Sequence, residues 1–149
     1  MKNIKFSRLF AAFAFVAVLA LSACQTQSSS TSVAVEGTWV SSWGEKNIIT
    51  TDSVQNYMDG KKLFYEMSID EVNEISETSG ILYGILLTGT EWTPKDTYYA
   101  VAYKDLKEDA VNLSAAAGSF ETLDEVKEAY SKIDAFAYWS ECTIEKDDK

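Results

Sequence analysis

After residue 36, apolar and polar residues alternate with a period of two, and turn residues interrupt the pattern every 8–15 positions. This period places alternate side chains on opposite faces of an extended chain, as in half-buried strands. Residues 61–69 show it well, because Leu63, Tyr65 and Met67 share one face. Asp59-Gly60 just before them is a strong hairpin signal. The pattern therefore predicts a sheet of short antiparallel strands.

About eight strands follow from this pattern, and sequential hairpins favour an up-and-down order. Such a sheet avoids exposed strand edges by closing on itself. Gly84, inside the most apolar run, predicts a bulge or bend. The fold prediction is mainly β: a small antiparallel up-and-down barrel of about eight strands with one helix before the last strand. The predicted strands are 37–44, 46–51, 54–58, 61–69 with a continuation at 72–75, 81–88, 97–104, 110–117 and 135–144.

One helix is predicted between the last two strands. Thr122-Leu123-Asp124-Glu125 has the spacing of a capping box, with Thr122 at the N-cap and Glu125 three residues later. Leu123, Val126 and Tyr130 then form one apolar stripe at helical spacing. We expect this helix to end near residue 131 or 132.

The first 23 residues have the pattern of an export signal. A positively charged start is followed by the apolar run Leu9–Leu21, which is too short to span a membrane. The run ends in Leu21-Ser22-Ala23-Cys24, which resembles the lipobox of bacterial lipoproteins. The alternative is an ordinary secretory signal with an incidental cysteine.

The lipobox resemblance implies a lipid anchor on Cys24. Acyl chains there would attach the protein to the lipid membrane without a transmembrane helix. Gln25 stands where aspartate would signal retention at the inner membrane, which favours an outer-membrane or surface location in the cell envelope. The predicted organisation is a signal peptide at 1–23, a lipidated flexible tether at 24–35, a barrel domain at 36–144 and a charged tail at 145–149.

Composition excludes several classes of chemistry. The chain has no histidine, which removes Ser-His-Asp and Cys-His catalysis and histidine-bound zinc. Acylation of Cys24 would leave Cys142 as a lone thiol. No motif selects a catalytic pair, and no calcium loop is present. We therefore predict a protein that is not an enzyme and that has no metal and no cofactor.

Charge further limits the partners. The leader carries three of the 13 basic residues and none of the 23 acidic ones, so residues 24–149 have a net charge of −13. Repulsion of phosphates disfavours nucleic acid. The acidic residues are either a solubilising surface or a means of steering a basic protein toward this one.

Gly37-Thr38-Trp39 at the first strand resembles the Gly-x-Trp signature of lipocalins and related calycins. The helix before the final strand is also similar to that plan. The resemblance implies structural roles for Gly37 and Trp39, with Trp39 closing one barrel end, and a ligand inside the barrel. The chain departs from the family because its only arginine, Arg8, lies in the leader.

Tryptophan and tyrosine dominate the aromatic residues after the leader, and both suit cavities and interfaces. The alternative is ordinary strand composition. Our candidate binding residues are Trp92, in the loop 89–96, and Tyr98, Tyr99 and Tyr103 in the next strand. The wider aromatic set is Trp39, Trp43, Trp92, Tyr98, Tyr99, Tyr103, Tyr138 and Trp139.

Two functional hypotheses follow. The first is a binding module for a small apolar or aromatic ligand in the barrel mouth. The second is a protein-binding surface lipoprotein, such as an inhibitor of a basic enzyme or an adhesin-like contact. The direction of five small residues separates them, since inward-facing ones leave room inside the barrel: Gly84, Ala100, Ala102, Ala115 and Ala117.

Overall fold

The structure is a computed structural model, and it describes residues 32–146. These residues form nine strands, one α-helix and a 3₁₀ turn. The elements are β1 (Gly37–Ser41), β2 (Lys46–Ile49), β3 (Ser53–Tyr57), β4 (Leu63–Ser68), β5 (Glu71–Ser76), β6 (Ser79–Thr88), β7 (Tyr98–Lys104), β8 (Ala110–Ala115), α1 (Leu123–Ala129), the 3₁₀ turn Ile133–Ala135 and β9 (Ser140–Ile144).

The strands form a closed antiparallel barrel, which confirms the predicted fold. The hydrogen-bonded order is β4-β3-β2-β1-β9-β8-β7-β6-β5, and a further pairing of β4 with β6 closes eight strands into a ring. Met67 on β4 pairs with Leu86 on β6 at this closure. The remaining strand, β5, follows β4 in the chain and also pairs with β6, where Glu71 of β5 is opposite Tyr83 of β6.

Gly84 makes the bend between β4 and β5 sterically feasible. The backbone of Ser68 crosses so close to Gly84 that an added Cβ would overlap the Ser68 carbonyl oxygen. The Ser68 hydroxyl accepts a hydrogen bond from the Ile85 backbone N–H at 3.1 Å, and this bond joins the end of β4 to β6. The register between β6 and β7 runs through Gly84 without a shift, so the predicted bulge does not lie at this residue, and glycine is needed there for the close approach of the Ser68 backbone.

The up-and-down order gives the barrel two distinct ends. We call the end where β1 begins the base; it contains residues 32–36 and the connections 50–52, 77–78 and 105–109. We call the opposite end the rim; it contains the connections 42–45, 58–62, 89–97 and 116–139.

Large side chains fill much of the barrel interior. Paired residues of neighbouring strands point to the same face, and Tyr103 pairs with Leu113 while Val101 pairs with Leu82. This row is buried and faces inward. Of the five small residues, Ala100 and Ala102 lie on the other face. Ala115 faces inward, Gly84 is occupied by the Ser68 backbone, and Ala117 lies beyond β8.

The connection 116–139 covers the outer face of β6 and β7. Its helix α1 begins with the predicted capping box on Thr122 and Glu125, and it buries Val126 completely. The Tyr83 hydroxyl donates to the Tyr130 carbonyl oxygen at 2.7 Å. An ion pair of 2.6 Å joins Lys127 of α1 to Glu71 of β5. These contacts explain why the alanines of β7 are small: they lie under this cover.

Three sequence predictions need correction. Folding begins before residue 36, because Val33 and Val35 are buried within the predicted tether. The last strand begins at Ser140, and the preceding residues form the 3₁₀ turn and an irregular segment. The first strand ends at Ser41, which leaves Trp43 in an exposed turn. The predicted signal peptide, Cys24, and most of the tail lie outside the described residues.

Candidate functional site at the barrel rim

Exposed apolar side chains gather at the rim. Among residues 32–146, six of the seven exposed large hydrophobic residues lie there, and Ile75 lies toward the base. Each of the four rim connections carries one of them: Trp43, Met58, Trp92 and Tyr138. Phe64 and Leu87 occupy the rim ends of β4 and β6. Exposed apolar side chains that gather at one end of a domain make that end a candidate interaction site.

The structure separates the four candidate binding residues. Trp92 is 84% exposed, whereas Tyr98 is half-buried and pairs with Phe120 in an isolated bridge. Tyr99 and Tyr103 are buried. Tyr99 and Tyr103 face the interior of the barrel, so they do not contribute to the exposed surface of the rim. Only Trp92 is presented for contact with a partner.

Tyr99 has a packing role instead. Its ring lies 5.3 Å from that of Tyr65, edge to face, and its hydroxyl donates to the Ala116 carbonyl oxygen at 2.8 Å. Burial raises the pKa of Tyr99 to about 12. Both ends of the side chain are thus satisfied within the fold.

The loop that carries Trp92 is held by its own threonines. The Thr90 hydroxyl accepts hydrogen bonds from the backbone N–H groups of Trp92 at 3.2 Å and Thr93 at 3.1 Å. Gly89 lies so close to the Thr93–Lys95 backbone that a side chain there would clash. The exposed indole therefore projects from an internally bonded loop.

Tyr138 is fixed in a similar way. The Ser114 hydroxyl donates to the Tyr138 carbonyl oxygen, and the neighbouring Trp139 indole donates to the Phe136 carbonyl oxygen at 3.2 Å. The ring itself is 86% exposed. Its main chain is anchored to the barrel wall while its side chain is left free.

A small cavity lies next to Tyr138. Its volume is about 190 Å³, below the roughly 300–1,000 Å³ of pockets for drug-sized ligands. Inward residues from β2, β4, β7, β8 and β9 form its wall, and Glu45 and Tyr138 lie at its mouth. The lining residues are Glu45, Asn47, Tyr65, Val101, Leu113, Ser114, Ala115, Tyr138 and Ser140.

One side of this cavity is a polar cluster organised around Glu45. Asn56 Nδ2 donates to Glu45 Oε1 at 2.7 Å and to Asn47 Oδ1 at 2.8 Å. Glu45 Oε2 accepts from the Ser140 hydroxyl at 2.9 Å and from the Trp43 indole at 3.3 Å. The carboxylate thus links an exposed rim tryptophan to the buried asparagines.

Two amide atoms in this cluster have no partner among residues 32–146: Asn47 Nδ2 and Asn56 Oδ1. Asn47 and Asn56 are 3% and 2% exposed. Nearby, burial raises the pKa of Tyr65 well above its usual value, and the charges of Tyr99 and Glu45 add to this effect. A buried polar group without a partner needs an explanation such as a bound water or ligand.

The sequence did not single out Glu45, Asn47, Asn56 or Ser140. The available signal was the alternation itself, because Asn47 and Asn56 occupy inward positions next to Ile49 and Val54 in β2 and β3. Asparagine at a position that should be apolar marks either a turn or a polar interior site.

The structural residues named from the sequence lie at the base. Trp39 is 2% exposed, and its indole donates to the Val35 carbonyl oxygen at 2.9 Å. Gly37 adopts φ 147° against the face of this indole.

Cys142 is buried, and desolvation followed by the charge of Glu45 raises its thiol pKa to about 12.

Among residues 32–146 there is no group of three or more His, Cys, Asp or Glu side chains that could hold a metal ion. The helical elements of these residues are α1 and the 3₁₀ turn, and neither is long and apolar enough to cross a membrane. Comparison of the chain with protein-family models, with curated proteins and with solved structures finds no match.

Proposed function

We propose that this protein is a lipid-anchored envelope lipoprotein that binds a protein partner through its rim. The observation that carries the proposal is the gathering, at one barrel end, of six of the seven exposed large hydrophobic side chains of residues 32–146. Tryptophan and tyrosine predominate in the energetically important parts of protein interfaces. Three rim connections present them as Trp43, Trp92 and Tyr138, and the fourth presents Met58.

The position of the rim fits an anchored protein. The chain enters the barrel at the base, where Val33 and Val35 pack, so the rim lies at the opposite end. A lipid on Cys24 would then hold the base near the membrane and direct the rim away from it. Exposed indoles would consequently face other molecules of the envelope.

The filled interior favours this hypothesis over a deep ligand-binding barrel. Tyr65, Tyr99 and Tyr103 are buried, and the small Ala100 and Ala102 side chains face outward. Space inside the barrel is consequently limited. The barrel serves mainly as a rigid scaffold that positions the rim loops.

The charge of the chain indicates a basic partner. A net charge of −13 over residues 24–149 would accelerate the approach of a positively charged protein. This contribution depends on ionic strength, because charges farther apart than a Debye length are screened. We expect association to slow markedly as salt rises from low to physiological concentration.

The rim can be tested with a photo-crosslinking residue at position 92 and, as the matched control, at position 75. Both positions are exposed and apolar, but only Trp92 lies at the rim. In the native envelope we expect a discrete protein adduct from position 92 and none from position 75. With the purified adduct partner, Trp92→Ala should weaken binding by about 1–3 kcal/mol. Equal crosslinking from both positions would refute the rim proposal.

The anchor has its own test. Replacing Cys24 by serine removes the sulfur that would carry the lipid, so we expect detergent partitioning and the lipid mass to be lost together. Unchanged partitioning with an unmodified N-terminal mass would show that the protein is not a lipoprotein. This result is independent of the rim experiment.

A small ligand in the barrel mouth is the second candidate function. The cavity of about 190 Å³ favours it, since the rim residues Glu45 and Tyr138 line this space and Tyr65 adds a second aromatic ring to its wall. Its volume limits the ligand to a small molecule or to one that extends out between the rim loops.

A further inference from the structure

We propose that the mouth cavity binds a small uncharged molecule with a carbonyl or amide group, recognised through Asn47. This inference deepens the small-ligand candidate and does not depend on a protein partner at the rim. It rests on the two unpartnered amide atoms of the polar cluster, Asn47 Nδ2 and Asn56 Oδ1.

The carboxylate of Glu45 fixes the orientation of both asparagine amides. An ionised carboxylate only accepts hydrogen bonds, so the group of Asn56 that faces it must be Nδ2. The same Nδ2 contacts Asn47, so Asn47 must present its oxygen to it. The Asn47 Nδ2 donor is therefore left over, and turning the amides round would set oxygen against oxygen.

Asn47 belongs to the wall of the cavity, and its donor has no partner among the described residues. A buried donor without an acceptor is unfavourable, because folding has removed it from water without replacement. Asn47 Nδ2 has less than 1 Å² of accessible surface, so a ligand acceptor reaches it only when the side chains of the cavity wall shift. An acceptor atom that reaches it would restore this hydrogen bond. The site therefore selects a ligand with an acceptor oxygen or nitrogen.

The charge of Glu45 narrows the class further. A carboxylate ligand could accept from Asn47, but it would lie beside the Glu45 carboxylate and be repelled. An ammonium ligand could pair with Glu45, but it has no acceptor for Asn47. An amide offers a carbonyl oxygen to Asn47 and an N–H group to the acceptor-rich side of the cluster.

The opposite wall would contact the apolar part of such a ligand. Val101, Leu113 and Ala115 form this wall together with the ring of Tyr65. Water is the competing occupant, since the volume corresponds to about six water molecules at the roughly 30 Å³ each occupies in the liquid. A ligand gains over water by covering the apolar wall while keeping the hydrogen bond to Asn47.

The test compares three probes of similar shape: benzamide, benzoate and benzylamine. Titrations followed by NMR of the full folded protein give a dissociation constant for each probe. We expect benzamide to bind about five- to tenfold more tightly than the two charged probes, as one hydrogen bond to a buried group implies.

Asn47→Leu supplies the decisive variant, and Asn73→Leu, on the exposed surface of β5, is its matched control. We expect Asn47→Leu to abolish the preference for benzamide and Asn73→Leu to keep it. Asn47→Asp preserves the shape while replacing the donor with a carboxylate. If Asn47→Leu does not fold, Asn47→Asp takes its place in the test, and we expect Asn47→Asp to lose benzamide binding.

Three outcomes would overturn the proposal. They are the absence of saturable benzamide binding, equal binding of the three probes, and an unchanged benzamide preference in the folded Asn47 variants. Equal binding of benzamide and toluene would leave the small-ligand candidate intact while removing the hydrogen-bonding class. None of these results bears on crosslinking at the rim, so the two proposals fail separately.

Discussion

The base and the rim of this barrel treat the same kind of residue in opposite ways. At the base, Trp39 is 2% exposed and its indole N–H is bonded to the buried N-terminal segment. At the rim, Trp92 is 84% exposed and no comparable segment covers it among residues 32–146. One end of the barrel thus contributes to stability, whereas the other leaves apolar surface available for contact.

Polar groups show the same contrast. The Trp39 indole has its acceptor, while Asn47 Nδ2 and Asn56 Oδ1 are buried without one in the described structure. Proteins tolerate unfavourable polar burial and exposed apolar patches mainly where they bind something. The difference between the two ends therefore supports the proposal that the rim is the binding end.

Removing the base tryptophan should have the largest effect. We expect Trp39→Ala to lower the free energy of unfolding by about 3–5 kcal/mol, since it deletes a fully buried aromatic side chain. Trp92→Ala is the matched rim variant and should change it by no more than about 0.5 kcal/mol. Urea denaturation midpoints measure both, and similar shifts for the two would contradict the comparison.

The next largest difference should be between alanine substitutions of a glycine in the barrel wall and of one at the rim, measured as a loss of stability. Gly84→Ala forces a Cβ against the Ser68 backbone, so we expect a loss of about 1–3 kcal/mol or more. Gly118, in the rim connection 116–139, has open space around the same position. Gly118→Ala should be close to neutral in the same denaturation experiment, and a Gly84→Ala protein of unchanged midpoint would show that the bend is not rigid.

The polar cluster should respond less strongly. Asn47→Leu removes an unpartnered buried donor, but it also removes the oxygen that accepts from Asn56 Nδ2, so we expect the two effects to offset and the free energy of unfolding of the ligand-free protein to change by less than about 1 kcal/mol. If Asn47 instead supports the fold, its replacement should lower the free energy of unfolding. A clear loss of stability in thermal unfolding would therefore show that Asn47 supports the barrel rather than a ligand.

The smallest effect at neutral pH concerns Cys142. Burial raises its thiol pKa from 9.0 to about 12, so the neutral thiol is favoured in the folded state. Its contribution to stability is complete below pH 9 and is lost as pH rises toward 12. Urea midpoints across this window should fall less steeply for Cys142→Ala than for the wild type. Identical pH profiles would contradict the assignment.

Much of the fold followed from local patterns. The strand alternation and the capping box at Thr122 correspond to elements of the structure, and Gly84 is the point where the Ser68 backbone approaches β6. Boundaries were less accurate where tertiary packing decides them. Val33 and Val35 resembled the end of a polar tether, but the open base of the barrel gave them a surface to cover.

The candidate site was predicted only in part. Trp92 could be identified because a tryptophan between Gly89 and Pro94 has little reason to pack in a core. The burial of Tyr99 and Tyr103 could not be predicted, because alternation separates two faces without showing which one lies inside. Glu45, Asn47 and Asn56 become one cluster only when β2 and β3 pair in register.

The sequence by itself determined the class of fold, the position of the helix and the exposure of Trp92, since these depend on spacing along the chain. Only the tertiary structure decided which face of each strand is interior, which end of the barrel is covered, and which polar side chains meet inside it. The physical reason is closure. Joining β4 to β6 gives the sheet an inside and two ends, and it brings the ring of Tyr65 on β4 within 5.3 Å of the ring of Tyr99 on β7.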